Sequence, residues 1–221
     1  MIDIEMYICQ LTERLVGRFG PRLCYVGLQG SYLRGEAHDG SDIDIMVVID
    51  ALSAADLSAY RGIVKSLPDA ERSCGFICGK ADLANWNPLE ICHLKHSTKD
   101  YYGVLSDLCP GYTETDVRNF VKMSINNLYH AICHSAIHSP LGSTLEGLTE
   151  AYKGVFFILQ DLHCLRTGDF VATKAELLGE LAGMDRAVLQ RSVELVNGAA
   201  CDVAEAFELL FTWCQETLAS L

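Results

Sequence analysis

Two aspartates, Asp42 and Asp44, stand one residue apart at the entrance to the apolar run IMVVI, residues 45–49. Residues i and i+2 of a strand share a face, so both carboxylates project to the same side, several ångströms apart. Carboxylates that close raise each other's pKa unless a positive charge lies between them. A divalent cation is the natural counter-charge. Mg2+ prefers one or two carboxylates together with substrate phosphate oxygens, and two metals about 4 Å apart can clamp the attacking and leaving oxygens of a phosphoryl or nucleotidyl transfer. Upstream stand Gly27, Gly30, Gly35 and Gly40 with Ser31 and Ser41. Gly30 lets the backbone approach a ligand closely. Ser31 offers a hydroxyl and a backbone N–H at a candidate helix start, where anions bind. Arg34 and Lys80 supply charge for outer phosphates. A bare Asp-x-Asp is more often a pair of exposed strand-end aspartates capping a turn. The ordered series Gly30-Ser31, then Ser41-Asp42-Ile43-Asp44, then a buried strand is hard to obtain by chance.

The elements that must hold these residues follow from hydrophobic spacing. Ile4, Ile8, Leu11, Leu15 and Phe19 recur at helical intervals, which predicts an amphipathic helix over 2–19. RLCYVGLQG (22–30), SDIDIMVVID (41–50) and ERSCGFICG (71–79) read as three strands. A serine-capped helix lies over 53–67, closed by Pro68, and a helical turn over 80–86, stopped by Pro88. From about Thr113 the pattern turns helical throughout. One long helix spans 113–139, with Thr113 or Thr115 as its cap and Pro140 after it. A second spans 143–168 and stops at Gly168, and three more complete the chain. The expected class is α+β: a small mixed-sheet domain over 1–108, then an all-helical bundle over 109–221 forming the other wall of a cleft. The join carries a Pro-Gly turn signal.

Composition bounds the function. The 221 residues are 50% hydrophobic, ample for a core, and no run approaches the roughly 18–20 apolar residues that span a membrane. The N-terminal stretch is acidic and lacks the basic start of a secretory signal, which predicts a cytoplasmic protein. Ten scattered cysteines without a CxxC read as reduced, mostly buried thiols. A formal charge of −12 argues against a nucleic-acid partner, which needs a basic footprint, and is compatible with a cationic substrate.

The stretch GSYLRGEAHDGSDIDIMVV resembles the signature of the DNA polymerase β-like nucleotidyltransferases. VFFILQDLHCLRTGDFVATKAELLGEL is similar to the C-terminal helices of the streptomycin/spectinomycin adenylyltransferases, where an apolar helix ends in Thr-Gly and a lysine follows. The resemblance implies ATP as co-substrate and two Mg2+ ions held by Asp42 and Asp44. Gly30 and Ser31 would hold the β/γ phosphates, with Arg34 and Ser41 beside them, and Lys174 would meet the phosphates when the domains close. A hydroxyl acceptor, plausible as an aminoglycoside-like cation, would attack the α-phosphorus.

The family also implies a third carboxylate on the next strand, as general base or metal ligand, and the middle of 71–79 holds no acid. Glu71 at its entrance is the first candidate, Asp82 and Glu90 the next. Glu146 and Glu150 on the helical half are candidates for the base or for acceptor contacts. Their plainer roles are a helix N-terminal carboxylate and a surface charge, and for Lys174 a solvated helix-start lysine. The rival functions are modification of a protein hydroxyl, as in toxin–antitoxin nucleotidyltransferases, and a nucleotide-binding module that has lost catalysis. His130, His134 and His138 recur every four residues. Adjacent pairs could bind zinc, but three along two turns converge poorly on one tetrahedral ion, which favours a packed or half-exposed face.

Overall fold

The computed structural model describes residues 2–138 and 144–221. Pro140, expected to follow the long helix, lies outside them. The fold is α+β, a small mixed sheet followed by helices, and the chain divides into two compact units, Met1–Tyr112 and Thr113–Leu221.

The first unit opens with α1 (Ile4–Phe19), whose N-terminal Met6 N–H donates to the Asp3 carboxylate at 3.0 Å. Then come β1 (Leu23–Leu28), the short α2 (Gly30–Arg34), β2 (Ile43–Ile49), α3 (Ala54–Lys65), β3 (Ser73–Gly79), α4 (Lys80–Ala84), α5 (Pro88–His96) and β4 (Lys99–Tyr102). The sheet order is β3-β2-β1-β4, with β1 antiparallel to both neighbours and β2 parallel to β3. β2 is therefore an interior strand covered on both faces, which is why its sequence is a continuous apolar run rather than an alternation. Ile43, Ile45, Val47 and Ile49 join Ile8, Leu11 and Leu15 of α1 in one core. Met46 and Val48 join Tyr25, Cys78 and Leu83 in another. By alternation Asp44 falls on the Met46 face, at the strand's entrance.

Two elements depart from the sequence expectation. α5 and β4 have no counterpart in it, and the HLKHSTKDYYG stretch supplies the last turn of α5 and all of β4. β4 is short and polar, so it carries no strand periodicity of its own. It forms because β1 offers it an edge, pairing Gly27 with Asp100 and Leu28 with Lys99.

All described elements of the second unit are helices: α6 (Glu114–His138), α7 (Leu145–Lys153), α8 (Val155–Thr167), α9 (Lys174–Glu180), α10 (Gly183–Val196) and α11 (Val203–Ser220). Thr113 caps α6, its hydroxyl and the Asp116 carboxylate each accepting the other's backbone N–H. The single helix expected over 143–168 is two, meeting at Gly154. Glycine is a weak helix former. The buried Ser192 hydroxyl also donates to the Tyr152 carbonyl at 2.8 Å, claiming an acceptor that a continuous helix would use. Trp213 is fully buried in this core, its indole N–H donating to Asp185 at 2.7 Å. Among the described residues no helix is long and apolar enough to cross a membrane, and none of the ten cysteines forms a disulfide; contrary to the sequence expectation only Cys78, Cys92 and Cys214 are buried, the others lying at positions that reach the surface.

The interior position of β2 has a measurable cost of disruption. Ile45→Ala, at a buried site between Asp44 and Met46, is expected to lower stability in urea unfolding by about 2–5 kcal/mol. A loss under about 1 kcal/mol would place Ile45 at a surface rather than in a core.

Candidate active site

Sheet topology gathers the chemistry on one rim. Antiparallel pairing sets the end of β1 beside the start of β2, and parallel pairing sets the start of β3 beside it on the other side: Leu28 faces Ile45, and Asp44 faces Cys74. The Gln29 N–H donates to the Asp44 carbonyl at 2.9 Å, locking the β1–α2 turn against β2. Gly30 follows with φ of +70°, and a Cβ there would overlap Asp44 Oδ2 and stand 2.8 Å from Cγ. The missing side chain of Gly30 thus makes room first for the Asp44 carboxylate itself. Ser31 lies in the first turn of α2, where backbone N–H groups have no intrahelical acceptor.

Ser41 is buried, and its hydroxyl accepts the His38 N–H at 2.9 Å while its own N–H donates to the His38 carbonyl. It closes the turn that delivers Asp42. Asp42 is exposed and immediately precedes β2, while Asp44 is half-buried within it. The Asp44 carboxyl is pushed above its usual range. Burial is the main cause. A hydrogen bond from the Cys74 thiol and the Arg34 charge pull the other way, and the Asp42 charge adds to the rise. Arg34 is largely buried and its Nε pairs with Glu36 at 3.0 Å.

On β3, where the family resemblance implies a carboxylate, the residue level with Asp44 is Cys74. Sequence reasoning passed over it, because parallel register is not written in a hydrophobic pattern. Its thiol pKa is raised: a backbone hydrogen bond from Gly75 opposes the rise, but burial and the carboxylates of Asp44 and Asp42 outweigh it. Glu71 lies two residues ahead of β3, exposed, in a 3-10 turn on the same rim. Lys80 and Asp82 do not belong here. They sit beyond the far end of β3, about 16 Å along the strand from Cys74, where Asp82 accepts the Gly79 N–H at 2.9 Å and starts α4. Glu90 accepts the Trp86 indole N–H at 2.6 Å. Asp100, also unforeseen, shares the sheet face of Asp44 but lies two strands away, held by the Tyr25 hydroxyl at 2.6 Å.

The remaining candidates belong to the second unit. Lys174 opens α9, with Thr173 and Glu176 forming a capping box, and its ammonium lies 5.0 Å over the Phe156 ring. The buried Gln160 amide donates to the Val171 and Ala172 carbonyls and pins the chain leading to that lysine. Glu146 stands in the first turn of α7, and Glu150 pairs with Lys153 at 2.6 Å. The first unit thus brings Gly30, Ser31, Arg34, Ser41, Asp42, Asp44 and Glu71 to one rim, while Lys174, Glu146 and Glu150 are carried by the second unit.

The donor set fits Mg2+. Asp42 and Asp44 offer hard carboxylate oxygens, and among the described residues no ligand-sized cluster of three His, Cys, Asp or Glu includes them. Two carboxylates with open positions suit an ion that keeps waters and takes phosphate oxygens.

Residues 8–77 match the family model described as nucleotidyltransferase domain. No curated protein matches the chain by sequence. Among solved structures the chain resembles spectinomycin adenyltransferase from Enterococcus faecialis, determined with ATP and spectinomycin. That likeness has a TM-score of 0.58 at 14% identity and covers 96% of this chain and 99% of the other.

Two outcomes follow from the rim geometry. A carboxyl whose folded pKa is raised costs stability when ionised, so its penalty is absent below the unfolded value of 3.8 and grows as pH rises through the folded one. Asp44→Asn is therefore expected to raise the melting temperature of the metal-free protein at pH 7 and to change it little near pH 3.5. The same variant should lose the stabilisation that Mg2+ gives the wild type, and a Mg2+ response equal to wild type would remove Asp44 from the metal site. Gly30→Ala forces a Cβ into the space of the Asp44 carboxylate and costs about 1–2 kcal/mol of backbone strain. Calorimetry should show Mg-ATP affinity falling by more than that strain accounts for. Unchanged affinity in the folded variant would mean that the glycine only shapes the turn.

Proposed function

We propose that this chain, an enzyme whose residues 8–77 are a nucleotidyltransferase domain, transfers AMP from ATP to a hydroxyl of a small cationic molecule of the aminoglycoside or aminocyclitol kind. The observation that carries the proposal is the placing of Asp42 and Asp44 at the entrance of β2, with the Asp44 carboxylate seated in the space left by Gly30. A fold likeness to an adenyltransferase solved with ATP and spectinomycin supports the choice of nucleotide and acceptor. The net charge of −12 is compatible with a positively charged acceptor.

In this reading Asp42 and Asp44 hold two Mg2+ ions, which when bound neutralise phosphate charge and favour attack at the α-phosphorus. Gly30 and Ser31 meet the β/γ phosphates through backbone N–H groups. Arg34 offsets negative charge beside Asp44, and Ser41 holds the turn that aims Asp42. The acceptor oxygen forms a bond to the α-phosphorus while the bond to the bridging α–β oxygen breaks, and pyrophosphate departs. Glu71 takes the acceptor's proton. From the second unit, Lys174 is assigned to the phosphates and Glu146 and Glu150 to cationic groups of the acceptor.

Cys74 favours a second reading. A thiol in place of the expected carboxylate leaves β3 without a base beside Asp44, as in a nucleotide-binding module that no longer transfers. ATP labelled at the α-phosphate, offered with a panel of aminoglycosides, aminocyclitols and lincosamides, separates the two. Transfer of label with pyrophosphate release, reduced roughly a hundredfold or more in Asp42→Asn, is the expected result. Mg-ATP binding without release against any acceptor would leave the binding module. In that case Cys74→Glu should restore measurable release.

A further inference from the structure

The exposed face of α6 carries a second cluster of metal-ligating groups, chemically unlike the carboxylate rim. His130, His134 and His138 are all exposed and follow one another at four-residue spacing. The opposite side of the helix is anchored by Val121, Ile125 and Ile132 in the core, with Cys133 packed against it, so the histidine stripe is held outward. The face is open rather than packed, contrary to one expectation from the sequence.

Ring geometry distinguishes the two neighbouring pairs. The His134 and His138 centroids lie 4.9 Å apart with an interplanar angle of 52°. Those of His130 and His134 lie 6.0 Å apart at 82°. A ring nitrogen binds a transition ion at about 2.0–2.1 Å, which puts the ion about 3.2 Å from the ring centroid. Two rings on one ion then have centroids about 4.5 Å apart at a right angle and about 5.2 Å apart at the tetrahedral angle. The His134–His138 spacing falls between these values, and the His130–His134 spacing exceeds both.

We infer that His134 and His138 form a two-imidazole chelate for a divalent transition ion of the Cu2+, Ni2+ or Zn2+ class, with solvent completing the coordination. Imidazole suits these ions and not Mg2+, so the site does not compete with the carboxylates for the same metal. His138 is the last described residue of α6. A bound ion ties together consecutive turns and stabilises the helix by mass action.

The test is a Ni2+ titration of the full chain in saturating Mg2+, followed by the ring-proton resonances of its seven histidines. His134 and His138 should broaden first and together. His134→Ala and His138→Ala should each abolish that early phase, while His130→Ala should retain it, all three keeping wild-type circular dichroism. First broadening at other histidines, an early phase that survives in His134→Ala, or its loss in His130→Ala would overturn the assignment.

Discussion

The close approach of Gly30 to the Asp44 carboxylate is the constraint on which the rim depends. Asp44 occupies a face that, one step further along β2, becomes the apolar core of Met46 and Val48. A carboxylate there loses part of its hydration, and its raised pKa records that loss. The fold accommodates it by removing a side chain from the facing turn, by fixing its carbonyl through the Gln29 N–H, and by placing a thiol donor beside it. The first two come from the turn after β1 and the third from β3, so the site exists only once β1, β2 and β3 are paired.

The sheet order explains why polar groups at its two ends serve different purposes. At the far rim, Arg22 grips both oxygens of the buried Asp56, which with Ser53 caps α3, and Asp82 caps α4. Arg22 and Ser53 hold the Asp56 carboxyl well below the usual carboxylate range, as expected of an acid whose charge is fully engaged in the fold. At the near rim Asp42 is exposed and Asp44 is raised rather than lowered. Asp56 is stabilised as an anion by its protein partners, and Asp44 is left in want of positive charge. That contrast separates structural acids from candidate ligands better than residue type does.

The same physics sets what was legible in the sequence. The apolar run of β2 and the helical spacing of α1 reflect burial, and burial leaves a periodic trace, so the sheet's centre and the helical second half could be read directly. β4 left no trace because its order comes from β1 rather than from its own side chains. The break between α7 and α8 depends on Ser192, some forty residues downstream and invisible to local pattern. Cys74 was passed over for a related reason. Its place beside Asp44 follows from parallel register, which the side-chain pattern of β3 does not encode.

That thiol changes the charge balance of the proposed reaction. A carboxylate level with Asp44 would add a third negative charge and push the Asp44 pKa further up, whereas the Cys74 thiol donates a hydrogen bond and lowers it. In the proposed reaction the metal ligands on the rim are therefore two, Asp42 and Asp44, and the third carboxylate that the family resemblance implies, as general base or metal ligand, is not level with them on β3. Two carboxylates balance one divalent ion. A second ion has no further protein carboxylate beside Asp44 to offset its charge, so its binding must rest on the triphosphate itself. In the proposed reaction a second ion would depend on the nucleotide's phosphates for its counter-charge, so its occupancy would follow nucleotide rather than metal concentration alone.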